Sequence, residues 1–342
     1  MSFEILHEFP SPETERVWRE FLTRAEVPSH YDSPEFFLDP FHTRPFAVLA
    51  RKDGQVRGVL TGSHQGRTVV SGLPSRPQIL VESTDTPATL DSLAQGLLAE
   101  GRNSDLITIY TWSWRDLPPF ADRRFRRRQL LGNVVLDLTR GADALFKDFT
   151  KDRRRNIRYA EKNGVEVREA ATQQDIIDAH AVYTAWRGTE RKKVKGDWSF
   201  ESFEAAVRLK NNRRLFLATF EGKIIAINIF RFFPGGLFES AANSSLDEFI
   251  HLKPNDLLQW RGIQWACAQG LRRHSLGGAH QFLLRFGGPV VPIFRYRLDR
   301  TLLRRHDLRE GVEDSARSLL RRAPAGVNRT VRKLMGKELP PH

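Results

Sequence analysis

The sequence is poor in sulfur. Its 342 residues hold one cysteine, Cys267, and two methionines, so no intramolecular disulfide can close and no thiolate cluster can hold zinc or an iron–sulfur centre. No apolar run approaches the roughly 18 residues of a membrane-spanning helix. The start, MSFEILHEF, lacks the basic opening and long apolar core of a secretion signal. A cytoplasmic protein in a reducing compartment is the expectation. GxxxxGK[ST], HExxH, GxSxG and GxGxxG are also missing. Nucleotide hydrolysis, zinc proteolysis, lipase-type hydrolysis and Rossmann dinucleotide binding are therefore without their signatures. The ten histidines show no metal spacing, and neither a metal nor a permanently bound cofactor is expected. His274 and His280, flanking Gly277-Gly278, read as structural, and Cys267 reads as core.

What is present is a soluble composition, 40% hydrophobic and 28% charged, long enough for two domains. Lys and Arg number 54 against 41 Asp and Glu, a net charge of +13, and the excess is segregated. Residues 121–162 carry 13 basic and 6 acidic side chains, and residues 300–342 carry 11 and 5. These two segments hold the whole surplus. Segregated positive charge attracts phosphate-bearing partners or anionic membrane surfaces; solubility alone is the other reading. At about 100° per residue, 145–163 reads as one helix with Phe146, Phe149, Ile157 and Ala160 on one face. Lys147, Lys151, Arg154, Arg155, Arg158 and Lys162 share an adjoining arc. Crowding of like charges costs a few tenths of a kcal/mol per i,i+4 pair, which favours an anion-facing helix over a merely solvated one.

A weak internal repeat sets the architecture. FAVLARKDGQVRGVL (46–60) and LFLATFEGKIIAINI (215–229) both read as strand, acidic-Gly turn, strand. Amphipathic stretches precede each hairpin, at 17–22 and 33–41 in the first half and at 176–186 and 200–209 in the second. The expectation is one α/β unit used twice, with a boundary near Arg140. LITIYTWSW (106–114) and LLGNVVLDL (130–138) read as strands before that boundary. A helix opening at Pro254-Asn255 and ending at Gly270, and a last strand PIFRYRL, follow it.

Three segments carry a resemblance. KDRRRNIRYAEKNGVEV (151–167), LKPNDLLQWRGIQWACAQGLRRHSLGG (252–278) and FLLRFGGPVVPIFRYRL (282–298) resemble, in order, motifs of the Fem-type peptidoglycan-bridge aminoacyltransferases and their GNAT-like relatives. The resemblance covers roughly 143–300. It implies two tandem GNAT-like α/β domains, 1–140 and 141–300, each a mixed, mostly antiparallel sheet flanked by helices, followed by a basic tail, 301–342. The activity implied is transfer of an aminoacyl or acyl group from an activated ester or thioester to an amine. Aminoacyl-tRNA or acyl-CoA would be the co-substrate, and an amine-bearing cell-envelope precursor the acceptor.

Such a reaction needs a path for the amine proton, donors for the tetrahedral oxyanion and a positive surface for the donor's phosphates. Glu239 is the candidate general base, a solvent-facing strand residue being the other reading; Asn243 and the amides near Gly277 and Gly278 are candidate oxyanion donors. Arg154, Arg155, Arg158, Lys253, Asn255, Arg285, Gly287 and Gly288 are assigned to the donor, Trp186 and Arg191 to the acceptor. Two positions depart from the family. Leu283 stands where the family turn F-K-x-x-F-G-G has lysine, and HLKPND (251–256) lacks the glycines of the pyrophosphate loop usual in acyl-CoA-using GNAT domains. The missing glycines and the segregated charge favour aminoacyl-tRNA over acyl-CoA. A non-catalytic protein binding RNA or anionic lipid, on a peripheral membrane surface, is the remaining alternative.

Overall fold

A computed structural model describes residues 1–82, 86–112, 120, 123–188, 199–209 and 212–322. In chain order the first half contributes β1 (Ser2–Leu6), α1 (Pro12–Arg24), β2 (Pro45–Lys52), β3 (Gln55–Gln65), β4 (Thr68–Ser71), β5 (Ile79–Val81), α2 (Thr86–Glu100), β6 (Leu106–Trp112) and β7 (Arg126–Asp137). The second contributes α3 (Ala142–Asp148), α4 (Lys151–Lys162), β8 (Glu166–Glu169), α5 (Gln173–Arg187), α6 (Phe200–Arg208), β9 (Arg213–Phe220), β10 (Lys223–Phe232), β11 (Leu237–Ser245), α7 (Pro254–Ala268), β12 (Arg273–Ser275), the one-turn α8 (Gln281–Leu284), β13 (Val290–Asp299) and α9 (Arg305–Arg322). The strands form one path, β1-β2-β3-β4-β6-β13-β7-β12-β11-β10-β9-β8, with β5 on β3.

The repeat is visible as matched geometry. Asp53-Gly54 and Glu221-Gly222 both adopt positive φ at both residues (52° and 74°, 49° and 78°), the hairpin turn whose twist suits its strands. Each hairpin leads to a parallel strand pair joined through a helix: β4 and β6 through α2, β11 and β12 through α7. β7 belongs to both halves of the sheet, pairing β13 along most of its length and β12 at its end. β13 lies beyond residue 141 yet inserts between β6 and β7, so the chain crosses back over the boundary expected near Arg140.

The basic helix expected over 145–163 is two helices. Phe149 is extended (φ −60°, ψ 145°), and the Thr150 hydroxyl accepts from the Arg153 amide to cap α4. A single wheel across that break therefore misplaces Phe146 and Lys147 relative to the rest. In the second half, α4 and α7 cover one face of the sheet around Phe230, Phe238, Leu258 and Ile263, and α5 and α6 cover the other around Phe203, Leu217 and Ile227.

The two halves are fastened by buried polar groups. Arg213, Arg231, Glu239 and Ser275 stand in register across β9 to β12. The first half meets this row with Asp39 on Arg213 at 2.6 Å, Arg76 on Glu239 at 2.9 Å and the Ser75 carbonyl accepting from Ser275 at 2.8 Å. Burial alone would raise the Asp39 carboxyl, but its bond to His30 and the Arg213 charge hold it well below the usual carboxylate range. Arg213 is lowered to about 10, chiefly by burial and then by the neighbouring Arg231 charge, and stays cationic at neutral pH. Asp39→Ala would strand that cation in the interior, and is expected to lower stability by roughly 3–5 kcal/mol in denaturant titration. A loss under about 1 kcal/mol would show that the pair does not fasten the halves.

Candidate active site

The parallel strands β11 and β12 pair only through Leu237–Arg273, Phe238–His274 and Glu239–Ser275. Beyond them β11 continues along β10, while the other chain stays on β7: the Leu276 amide donates to the Val134 carbonyl at 3.0 Å, and the Gly278 carbonyl accepts from the Val134 amide at 2.9 Å. Between the diverging chains opens a cavity of about 460 Å³. Its wall includes Ser240, Asn243, Asn255, Gln259, Gly277 and His280.

Asn243, Asn255 and Gly277, expected at the site, are thus brought together. The Gly277 and Gly278 amides donate to no protein acceptor among the described residues, and the half-buried Asn243 amide makes no hydrogen bond there either. Asn255 is tied to Ser245 Oγ at 3.1 Å. Lys253 precedes Pro254 at the start of α7 in the left-handed conformation (φ 60°), and no side chain caps this helix. The glycine missing from HLKPND is missing at the position where positive φ is used. The first amides of α7 and its positive dipole end lie at the cavity mouth beside Asn255, an arrangement that suits an anion.

Glu239 is placed differently from the expectation. Side chains alternate across a strand, and Glu239 points away from the cavity into the contact between halves. It is buried there against Arg76. A carboxylate committed to a guanidinium is poorly placed to take a proton from a substrate. The titratable side chain on the cavity wall is His280. Partial burial lowers its imidazole below the ordinary value, leaving it neutral, and able to accept a proton, at neutral pH. It had read as structural because an isolated histidine in a turn carries no local signature.

The remaining donor assignments fall outside the cavity wall. Arg154 donates to the Lys147 carbonyl at 2.7 Å and to the Phe149 carbonyl, closing the end of α3. Arg155 and Arg158 are exposed on α4, and Arg285 is exposed beyond α8. Gly287 and Gly288 have a packing reason: a Cβ on the first would lie 2.9 Å from the Asp148 carbonyl and on the second 2.6 Å from Leu136, both at positive φ. Trp186 packs on Tyr183 within the α5–α6 core rather than at the cavity, and Arg191 lies outside the described residues.

Arg153, not singled out in the sequence, ties Phe282 of the cavity wall to the start of α7. It is buried, pairs with Asp256 in the first turn of α7, donates to the Phe282 carbonyl at 2.6 Å and lies over the Phe282 and Phe286 rings. Its signal was available: four residues before Ile157 and seven before Ala160, it is an arginine on the apolar face. Burial lowers Arg153 and raises Asp256, so each depends on the other to stay charged. His30, Asp39 and His42 also come within reach of a common metal ion. Asp39 is already held by Arg213, whose guanidinium lies about 3 Å from both His30 nitrogens. A fixed cation there disfavours a second one.

A polar chain sets the hydrogen-bond sense of Ser240. The Phe238 carbonyl can only accept, so His274 donates to it from Nδ1 at 3.0 Å and must accept at Nε2. Gln259 then donates to His274 at 2.5 Å and accepts from Asn228 at 3.3 Å, and Asn228 accepts from Ser240 Oγ at 2.9 Å. Ser240 therefore offers the cavity lone pairs, which suit an N–H group. Burial holds His274 at about 4, below the ordinary imidazole. Between that value and about 6.5 the unfolded chain binds the extra proton and the folded chain does not, so stability falls as pH drops through this window. His274 contributes on the order of 3 kcal/mol there; His42, lowered to about 3 chiefly by burial, acts in the same direction. Thermal unfolding from pH 7.5 to 4.5 is expected to show this loss, with a shallower slope in His274→Gln; an unchanged slope in the variant would contradict the neutral chain.

Residues 147–284 match the family model described as an acetyltransferase (GNAT) domain. No curated protein matches in sequence. Among solved structures, FemX superposes with TM-score 0.67 at 13% identity, over 87% of this chain and 98% of that one. A C-terminal domain assigned to a lysylphosphatidylglycerol synthetase of Agrobacterium fabrum gives TM-score 0.61 at 14% identity, over 89% and 96%. A tandem GNAT protein from the clavulanic acid biosynthesis pathway gives 0.56 at 13%, over 88% and 99%. The cavity wall lies entirely within the matched segment, and the chain as a whole has a tandem GNAT-like fold.

Proposed function

We propose that the chain transfers an aminoacyl group from aminoacyl-tRNA to an amine of a cell-envelope precursor, with the divergence of β11 and β12 as the reaction site. The observation that carries this reading is the cavity itself, where unpaired amide donors, a neutral imidazole and the positive end of α7 converge. The amine nitrogen attacks the ester carbonyl, and the Gly277, Gly278 and Asn243 amides receive the oxyanion. His280 takes the proton released by the nitrogen. As the intermediate collapses, the carbon–oxygen bond to the ribose breaks, the amide remains and the ribose oxygen recovers a proton through solvent. Ser240 accepts from the incoming N–H and orients it.

The donor choice rests on charge and on the turn at Lys253. Lys151, Arg155, Arg158 and Lys162 are exposed along α4, which packs against α7, and such a row suits a polyanion larger than a pyrophosphate. Acyl-CoA is the second reading, favoured by the description of the matching family model.

Incubation with charged bulk tRNA and with acetyl-CoA at two salt concentrations separates the two. A ligand at 100 times its Kd adds about 2.7 kcal/mol to stability, which thermal unfolding registers. A tRNA shift that weakens steeply with salt, without an acetyl-CoA shift, supports the first reading; the reverse overturns it. With the active donor in hand, His280→Gln is expected to lower kcat by roughly 10²–10⁴ and to remove the acid limb of the pH–rate profile, whereas Glu239→Gln leaves that limb in place. A lost limb in Glu239→Gln alone would return the base to Glu239.

A further inference from the structure

The first turns of α9 are docked with charged side chains inward and apolar ones outward. Its inward side is acidic: Asp307 is buried beside Arg297 at 3.5 Å, and Glu310 meets Arg295 at 2.5 Å, Arg297 at 2.8 Å and Arg128. Its start is pinned by Asp299, whose carboxylate accepts from the His306 and Asp307 amides at 2.9 and 3.1 Å. Apolar side chains stand on the outward side, among exposed arginines. Leu308 is 58% exposed and Val312 69%, one turn apart, and the preceding Leu302 and Leu303 are 88% and 77% exposed. Leu303 and Arg304 sit at φ 57° and 49°. That left-handed backbone costs about 1–2 kcal/mol per residue, and nothing it gains is buried in this chain.

A helix whose first turns are held by ion pairs, with Leu308 and Val312 turned to solvent, has inverted the usual amphipathic arrangement there. We propose that Leu302, Leu303, Leu308 and Val312 form an insertion edge that docks the protein on an anionic membrane surface. Arg304, Arg305 and Arg309 are exposed beside these four side chains, placed to meet lipid headgroups while the apolar groups enter the acyl boundary. The same arginines argue against a second copy as the occupant, since a symmetric contact would press like charges together. Sequence beyond residue 322 continues the basic bias with Arg329, Arg332, Lys333 and Lys337 against Glu338. This surface is independent of the transfer chemistry and requires neither donor.

The test is co-sedimentation of the full chain with phosphatidylcholine vesicles, with and without about one third phosphatidylglycerol. Wild type is expected to sediment with the anionic vesicles and not with the neutral ones. The variant L302Q/L303Q/L308Q/V312Q is expected to lose at least about tenfold in partitioning with an unchanged melting temperature, because all four side chains are solvent-exposed. Arg155→Glu with Arg158→Glu, on the face assigned to tRNA, is expected to leave vesicle binding within about twofold. Equal binding by the quadruple variant would overturn the proposal. So would loss of binding in the Arg155/Arg158 variant, or wild-type self-association that the quadruple variant abolishes without any vesicle binding.

Discussion

The parting of β11 from β12 is the constraint on which the site depends. Three residue pairs hold these parallel strands together before the chain after Ser275 parts from β11, staying with β7 through Val134. A ladder interrupted in this way leaves backbone groups with no strand to answer them. Gly277 and Gly278 supply amides aimed at no protein acceptor among the described residues, and α7, which connects the two strands, delivers its uncapped start to the same opening. Orphaned donors are costly in a sealed interior and useful where an oxyanion must be met.

The opposite face of the same strands does different work. Alternation sends Phe238 toward α7 and Glu239 toward the first half, so one strand both lines the cavity and fastens the two halves. The row of Arg213, Arg231, Glu239 and Ser275 belongs to the fastening. Buried ion pairs of this kind add little net stability over apolar packing, but removing either partner is severe, so the row fixes how the halves meet more than how strongly.

Much of this was legible in the sequence. The two acidic-Gly hairpins declared the duplication because a two-residue turn with positive φ is a local property, and the helix beginning at Pro254 declared itself through its proline and its apolar spacing. Asn243, Asn255 and Gly277 were placed at the site through resemblance, and the cavity contains them. What was not legible is long-range. The carboxylate of Glu239 looked like a base because Arg76, 163 residues away, is its partner only in the folded chain. Nothing within FLLRFGG distinguishes a glycine pair that binds a ligand from one pressed against Asp148 and Leu136. β13 read as the end of the second domain because a strand's own sequence does not say which neighbours it will find. α2 gave a weak signal for a related reason: buried positions run around much of its circumference, from Thr89 and Leu90 to Gly96 and Leu97, which blurs the helical period.

The account stands on the claim that the acyl group is held where β11 and β12 separate. Hydrogen–deuterium exchange of the full chain, with and without the donor that shifts its melting temperature, tests it most directly. The account predicts slowed exchange at Gly277, Gly278 and the first turn of α7, with the contact between the halves around Arg76 and Glu239 unchanged. Protection confined to that contact, with the Gly277 and Gly278 amides exchanging as in the free protein, would contradict it.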